Sequence, residues 1–236
     1  MKNRTPKRFR RALCVLFSAL LLLPLAACSA KDAAMLTDGE RRVELVGGFW
    51  TPETVRVVDA RTGEEIWSES VKIDRSVRKL GKDWGLQCVD LNFDGRNDLL
   101  VATDVSGERT KQLCFLQQEN GGYLRSDDLS ELCNLHANPA SRSVLSYSES
   151  SESVKSALNG KFYRVDTDSV VQFLVEGNRA TPWKSVSLVH YTENDLYCYS
   201  IAYWDEDARS FSSPDDLWLS AEDYAAQDWS FFYYFR

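Results

Sequence analysis

Apolar and polar positions alternate in short runs along most of this chain, and the runs have the length of strands. Between Leu196 and Trp204, Tyr197, Tyr199, Ile201 and Tyr203 alternate with Leu196, Cys198, Ser200 and Ala202. That is a period of two, the strand period. Val43–Val46 runs into Gly47-Gly48, and Thr54–Asp59 and Glu65–Ser68 flank the turn Ala60-Arg61-Thr62-Gly63. Leu86–Leu91 and Asp98–Thr103 flank a loop of Asn, Asp and Gly, and Gln112–Gln117 pairs with Tyr123-Leu124 across Glu119-Asn120-Gly121-Gly122. Further strands are expected at Lys161–Val165, Ser169–Val175 and Trp183–Tyr191. Asn134–Glu152, rich in Ser, Asn and Ala, reads as a surface loop, with a short helix expected over Ser150–Leu158 and a helical turn over Asp223–Asp228. Phe231-Phe232-Tyr233-Tyr234-Phe235 is too aromatic for a free tail and is expected to pack on the body. Short strands about ten residues apart, without long helical periodicity, predict a mostly β fold: an antiparallel sandwich or an irregular β architecture with few short helices.

The first 27 residues break this pattern. They hold Lys2, Arg4, Lys7, Arg8, Arg10 and Arg11 with no acid, then an apolar run from Ala12 to Ala27. A basic start and a short apolar segment make an export signal, and the run is too short for a membrane span of roughly 20 residues. It closes on Leu25-Ala26-Ala27-Cys28, which resembles the lipobox of bacterial lipoproteins. The resemblance implies cleavage before Cys28 and diacylglycerol on its sulfur, which would hold the protein on the bacterial membrane at the cell surface or periplasmic face. The expected organisation is a signal peptide over 1–27, a lipidated tether over 28–40 and one β-rich domain over 41–236.

Removing residues 1–27 takes away six basic and no acidic residues, leaving 22 basic against 35 acidic, a balance of −13. Such a surface repels nucleic-acid phosphates and attracts cations or a basic protein partner. Cys14 leaves with the signal and Cys28 takes the lipid, so Cys88, Cys114, Cys133 and Cys198 remain. An exported chain with four cysteines admits either two disulfides or four buried thiols, and no CxxC spacing suggests a zinc cluster.

One stretch carries chemistry: Asp90-Leu91-Asn92-Phe93-Asp94-Gly95-Arg96-Asn97-Asp98. Side-chain oxygens fall at the alternate positions Asp90, Asn92 and Asp94, Gly95 permits a tight bend, and Asp98 closes the loop. The Arg96 carbonyl would add one more oxygen. Calcium takes roughly 6–8 hard oxygen ligands. Three aspartates this close repel without a cation. An EF-hand has helical flanks and a closing Glu, whereas here the flanks are strand-like and the closing place falls on Val101. The stretch instead resembles the calcium loop of FG-GAP (VCBS-type) repeats. That resemblance implies a structural calcium on Asp90, Asn92, Asp94, Arg96 and Asp98.

A looser resemblance spans Val55 to Tyr203. Strand, Asp59-x-x-Thr62-Gly63 turn and strand are followed by the calcium-type hairpin and paired late strands, as in exported calcium-loop β lipoproteins that include lysozyme-inhibitor-like immunity proteins. It implies a β-sandwich-like fold with a metal near one edge and does not fix the partner; the leading expectation is a non-catalytic envelope protein that recognises a protein partner such as a basic cell-wall hydrolase. Some inhibitors insert a Ser-Gly-x-x-Tyr loop into the enzyme cleft; here Ser106-Gly107-Glu108-Arg109-Thr110 has Thr in place of Tyr, so the two residues are read as a hairpin turn. The two histidines, His136 and His190, stand in no HExxH motif, and neither GxSxG nor a P-loop occurs. Trp204-Asp205-Glu206-Asp207 reads as an exposed acidic turn. The alternatives are a carbohydrate- or peptidoglycan-binding module and, behind it, a wall hydrolase using two carboxylates.

Overall fold

The computed structural model describes residues 34–47, 52–155, 159–212 and 215–229. The signal segment, Cys28 and the aromatic run Phe231–Phe235 lie outside the described residues.

Among the described residues the chain is mostly β, in three antiparallel sheets with few short helices, consistent with a β-sandwich. The first sheet follows chain order: β1 (Met35–Asp38), β2 (Arg41–Gly47), β3 (Pro52–Asp59) and β4 (Glu65–Ser70). The turn after β3 forms because Asp59 Oδ1 accepts the N–H groups of Arg61 and Thr62 at 2.8 and 2.7 Å. Strand β1 lies within the stretch read from sequence as tether. Met35 pairs with Glu44, and Ala34 is buried beside Leu45, so the body begins before residue 41.

A 3-10 turn over Arg75–Leu80, capped by Asp74, leads to the second sheet. Gly85 marks the entry. It sits at φ +71, and a Cβ there would meet Leu80 Cδ1 at 2.6 Å and Ala102 Cβ at 2.7 Å. The sheet contains β5 (Gln87–Val89), β6 (Asp98–Ser106), β7 (Arg109–Gln117) and β8 (Tyr123–Ser126), again in order. Ser106 pairs with Arg109 across Gly107, the hairpin turn expected there. The short helix α1 (Asp127–Ser130) follows, its Leu129 N–H taken by the Ser126 hydroxyl.

The third sheet has seven strands: β9 (Leu135–Asn138), β10 (Ser143–Lys155), β11 (Phe162–Glu176), β12 (Arg179–Tyr191), β13 (Leu196–Asp205), β14 (Ser210–Phe211) and β15 (Asp215–Ser220). Both β14 and β15 pair with the outer side of β13, at different ends. Helix α2 (Ala221–Ala225) closes the described body.

Two sequence expectations give way here. Asn134–Glu152 is not a wandering loop, and Ser150–Lys155 is not helical. They make β9 and β10, with Ser150 paired to Thr167 and Val154 to Tyr163. The alternation was masked because the outward positions, Ser146, Ser148 and Ser150, are small. The inward ones, Leu145 and Tyr147, are buried.

The second sheet is the middle layer. Leu99, Val101 and Phe115 face the first sheet and pack on Val43, Leu45, Val55 and Val57. Leu100, Cys114 and Leu116 face the other way, onto Leu91, Leu129, Leu135 and Val144. Leu99 through Ala102 are therefore all buried, because β6 is covered on both faces. A third cluster, Tyr147, Val170, Val186 and Leu188, lies on one face of the long sheet beneath Tyr224 and Trp229.

Candidate functional site

The Asp90–Asp98 stretch joins β5 to β6, so its flanks are strands as expected, with Val89 paired to Asp98 at its base. Leu91 is fully buried and pins the loop into the second core cluster. The bend needs two left-handed residues, Phe93 at φ +59 and Gly95 at φ +87. A Cβ on Gly95 would meet nothing within 4 Å, so glycine is required there by conformation and not by space. Phe93 is held from outside: Arg142 Nη2 donates to its carbonyl at 2.7 Å, and the guanidinium lies 5.9 Å from its ring centroid.

The side-chain oxygens gather the loop's own N–H groups. Asp90 takes Asp94 N on Oδ1 at 3.1 Å and Gly95 N on Oδ2 at 2.9 Å. Asn92 Oδ1 accepts Asp94 N at 3.2 Å, and its Nδ2 donates to Asp94 Oδ2 at 3.0 Å. Asp94 Oδ1 accepts Arg96 N at 2.9 Å, and its Oδ2 pairs with Arg96 Nη2 at 2.5 Å. Arg96 also donates from Nε to the Gln117 carbonyl at 3.2 Å, which ties the loop to β7. Asn97 reaches the first sheet, donating to Asp38 Oδ2 at 2.9 Å.

Asp98 stands apart from the other candidates. It is fully buried, and its oxygens accept Leu91 N and Gln117 N, both at 2.8 Å. Burial pushes its carboxyl up to about 6 against the pull of those two N–H groups, and the charges of Asp94 and Asp90 add to the rise. The sequence assigned Asp98 to the ion as the loop's closing ligand. In the fold it is an interior clamp between the loop and β7.

The donors are hard oxygens of the kind calcium takes, and each carboxylate oxygen that accepts one N–H keeps a second lone pair. In donor type the loop fits a hard cation. In arrangement, among the described residues, no three carboxylate, imidazole or thiolate groups converge on one centre. The Arg96 guanidinium supplies the local positive charge on Asp94. The residues missed by sequence reasoning are the anchors: Leu91, Arg142 and the Gln117 backbone. Leu91 carried a signal, since an apolar residue between two oxygen-bearing positions has no reason to face solvent.

Beside the loop lies a cleft of about 480 Å³, lined by Asn92, Asp94, Arg96, Gln118, Asn120 and Asn178 among others. The remaining chemical candidates have structural partners. His190 Nε2 lies 2.9 Å from Asp195 Oδ1, and its ring stacks on Tyr197 at 4.3 Å. His136 sits half-buried in β9, where burial lowers its pKa. Cys88, Cys114, Cys133 and Cys198 are all free thiols. Cys133 Sγ accepts Arg109 Nε at 2.9 Å. Asp205 Oδ1 accepts the N–H groups of Asp207 and Ala208, so Glu206 and Asp207 lie in an exposed turn, but Trp204 belongs to β13 and is half-buried edge-on to Phe211.

No family model matches this chain, and no curated protein matches it. Among solved structures it is similar to a Xanthomonas type IV secretion system related protein, at 11% identity and a TM-score of 0.43. That match covers 78% of this chain and 95% of the other. The likeness is too loose to transfer a fold or a role. Among the described residues, no helix is long and apolar enough to cross a membrane.

Proposed function

We propose that this protein is a non-catalytic lipoprotein of the bacterial envelope, anchored through Cys28. Its Asp90–Asp98 loop takes one structural calcium, and its work is the recognition of a cationic cell-wall hydrolase. The observation that carries the calcium reading is the curl of the loop. Asp90 draws in Asp94 N and Gly95 N, and Asn92 and Asp94 are hydrogen-bonded to each other in the same bend, which keeps three of the oxygen-bearing side chains close together. Calcium there would neutralise Asp90 and Asp94 and stiffen the β5–β6 connection, with Asp98 acting behind it as the clamp. The partner's chemistry follows from charge: a domain carrying −13 after Cys28 draws basic proteins and repels nucleic acid and anionic lipid.

The test is a lysis assay. The purified protein lowers cell-wall lysis by at least one cationic hydrolase from a panel, and added salt weakens the effect by screening the attraction. Unchanged lysis across the panel refutes the reading. A second reading, a wall-glycan-binding module, is favoured by the carboxamides of Gln118, Asn120 and Asn178 around the cleft beside the loop. Retention on insoluble peptidoglycan separates it from the first.

A further inference from the structure

The long third sheet has two unlike faces. Tyr147, Val170, Val186 and Leu188 are buried on one face, under Tyr224 and Trp229 of the C-terminal helix region. On the other, register aligns Ser148, Ser169, Ser187, Ser200 and Asp216 in a single row across five strands. The next row carries Ser150, Thr167, Val189, Cys198 and Trp218. Beyond it come Glu152, Val165, Tyr191, Leu196 and Ser220, and then Val154 with Tyr163. Trp218 is 52% exposed and Val154 47%. The rings of Tyr191 and Trp218 lie 5.6 Å apart on this side.

We infer that this open face is the docking surface for the cationic protein partner. The inference rests on the function proposed above and names the surface that performs it. Charge is the first argument. The four rows contain Glu152 and Asp216 and not one Lys or Arg, so the charges they carry are both acidic, in an acidic chain, and Arg109 comes near them only at the Ser148 edge. A second copy of this chain, carrying the same sign, is repelled from it, and so is an anionic lipid surface.

Area is the second argument. Five strands about 4.8 Å apart and four rows of side chains cover about 500 Å². A standard protein interface buries about 800 Å² per partner, so this face supplies most of one side. The third argument is composition. Small hydroxyl side chains keep the centre flat and able to hydrogen-bond, while Trp218, Tyr191 and Tyr163 stand at one end. Exposed Trp218, backed by the half-buried Tyr191 and Tyr163 beside a flat polar field, matches the division between energetic core and adaptable rim in protein interfaces.

The experiment uses a cationic muramidase, a cationic amidase and a cationic lytic transglycosylase as probes, with binding to the purified protein read by biolayer interferometry at low salt. A variant with Thr167→Arg and Ser187→Arg puts two positive charges at the centre of the face. A control with Glu64→Gln and Glu65→Gln makes the same change in net charge at the exposed β3–β4 turn of the first sheet. The expected result is binding of at least one probe, weakened roughly tenfold or more by the arginine pair and less than about twofold by the control. Trp218→Ala, which adds no charge, is expected to speed dissociation of the same probe, and it serves if the arginine pair disturbs folding. Binding that survives both face variants overturns this surface and leaves the proposed function standing. Equal weakening by the control also overturns it, because bulk charge then explains the effect. If none of the probes binds, the functional reading fails and the surface fails with it. Retention on insoluble peptidoglycan that the arginine pair abolishes makes the occupant a glycan and overturns the protein partner.

Discussion

Replacing Asp98 by Asn separates an interior clamp from a metal ligand. In the fold, Asp98 is fully buried and accepts two backbone N–H groups, Leu91 N and Gln117 N, at 2.8 Å each. Asparagine is nearly the same size, but it offers one oxygen and an NH₂. One backbone N–H keeps an acceptor, now neutral, and the other is left facing a donor. A hydrogen bond to a charged group is worth about 1.5–3 kcal/mol, and stranding a buried N–H costs about 1–3 kcal/mol. Relief of the buried charge returns part of this, so the net loss is about 3 kcal/mol. At about 2–4 °C per kcal/mol for a chain of this length, melting falls by roughly 6–12 °C. The assay is thermal and urea unfolding of wild type and Asp98→Asn, each with calcium and with a chelator. The clamp predicts the same loss in both media, because neither N–H involves an ion. A loss seen only with calcium, or none at all, refutes the clamp.

Other outcomes follow from single sites. Gly85→Ala is expected to lose about 2–4 kcal/mol, since a methyl at φ +71 would press on Leu80 and Ala102; urea unfolding measures it. Burial raises the Glu44 carboxyl pKa, but the stronger combined pull of Arg42 and Arg56 holds it below the ordinary value of 4.5. Its folded pKa is therefore depressed, so its contribution is complete above about pH 4.5 and is lost as pH falls through the folded value. Glu44→Gln is expected to remove about 1–2 kcal/mol at pH 7 and to flatten the acid limb of a stability–pH curve. Burial pushes the Cys88 thiol up to about 12 and the Cys114 thiol higher still. Both should resist iodoacetamide at pH 8 in the folded protein, and mass spectrometry after denaturation should find Cys88, Cys114, Cys133 and Cys198 all alkylated. Fewer than four labelled sites would mean a disulfide.

Sequence reasoning reached the hairpins because their signals are local. The Asp59–Gly63 turn, the Gly107 turn and the alternation over Leu196–Trp204 each depend on residues a few positions apart. It failed at Asn134–Lys155 because serines on the exposed side of β10 look like loop residues until their partners on β11 are known. Strand β1 was missed for a similar reason: Met35–Asp38 earns its place only by pairing with β2. In the candidate site, the order of oxygen-bearing residues was legible, but their direction was not. Asp98 occupies the last position of the pattern, yet it turns inward because Gln117, 19 residues away, presents an N–H to it. The open face of the long sheet was invisible from sequence, since it exists only once the serines of four strands are brought into register.

The loop itself is the place to test the account most directly. Thermal unfolding is measured in saturating calcium and in chelator, for wild type and for a variant with Asp90→Asn and Asp94→Asn. A site held at about 100 times its dissociation constant adds about 2.7 kcal/mol, a rise of roughly 5–10 °C for a chain of this length. The account predicts that rise in the wild type and none in the variant. Identical melting of the wild type in calcium and in chelator contradicts it.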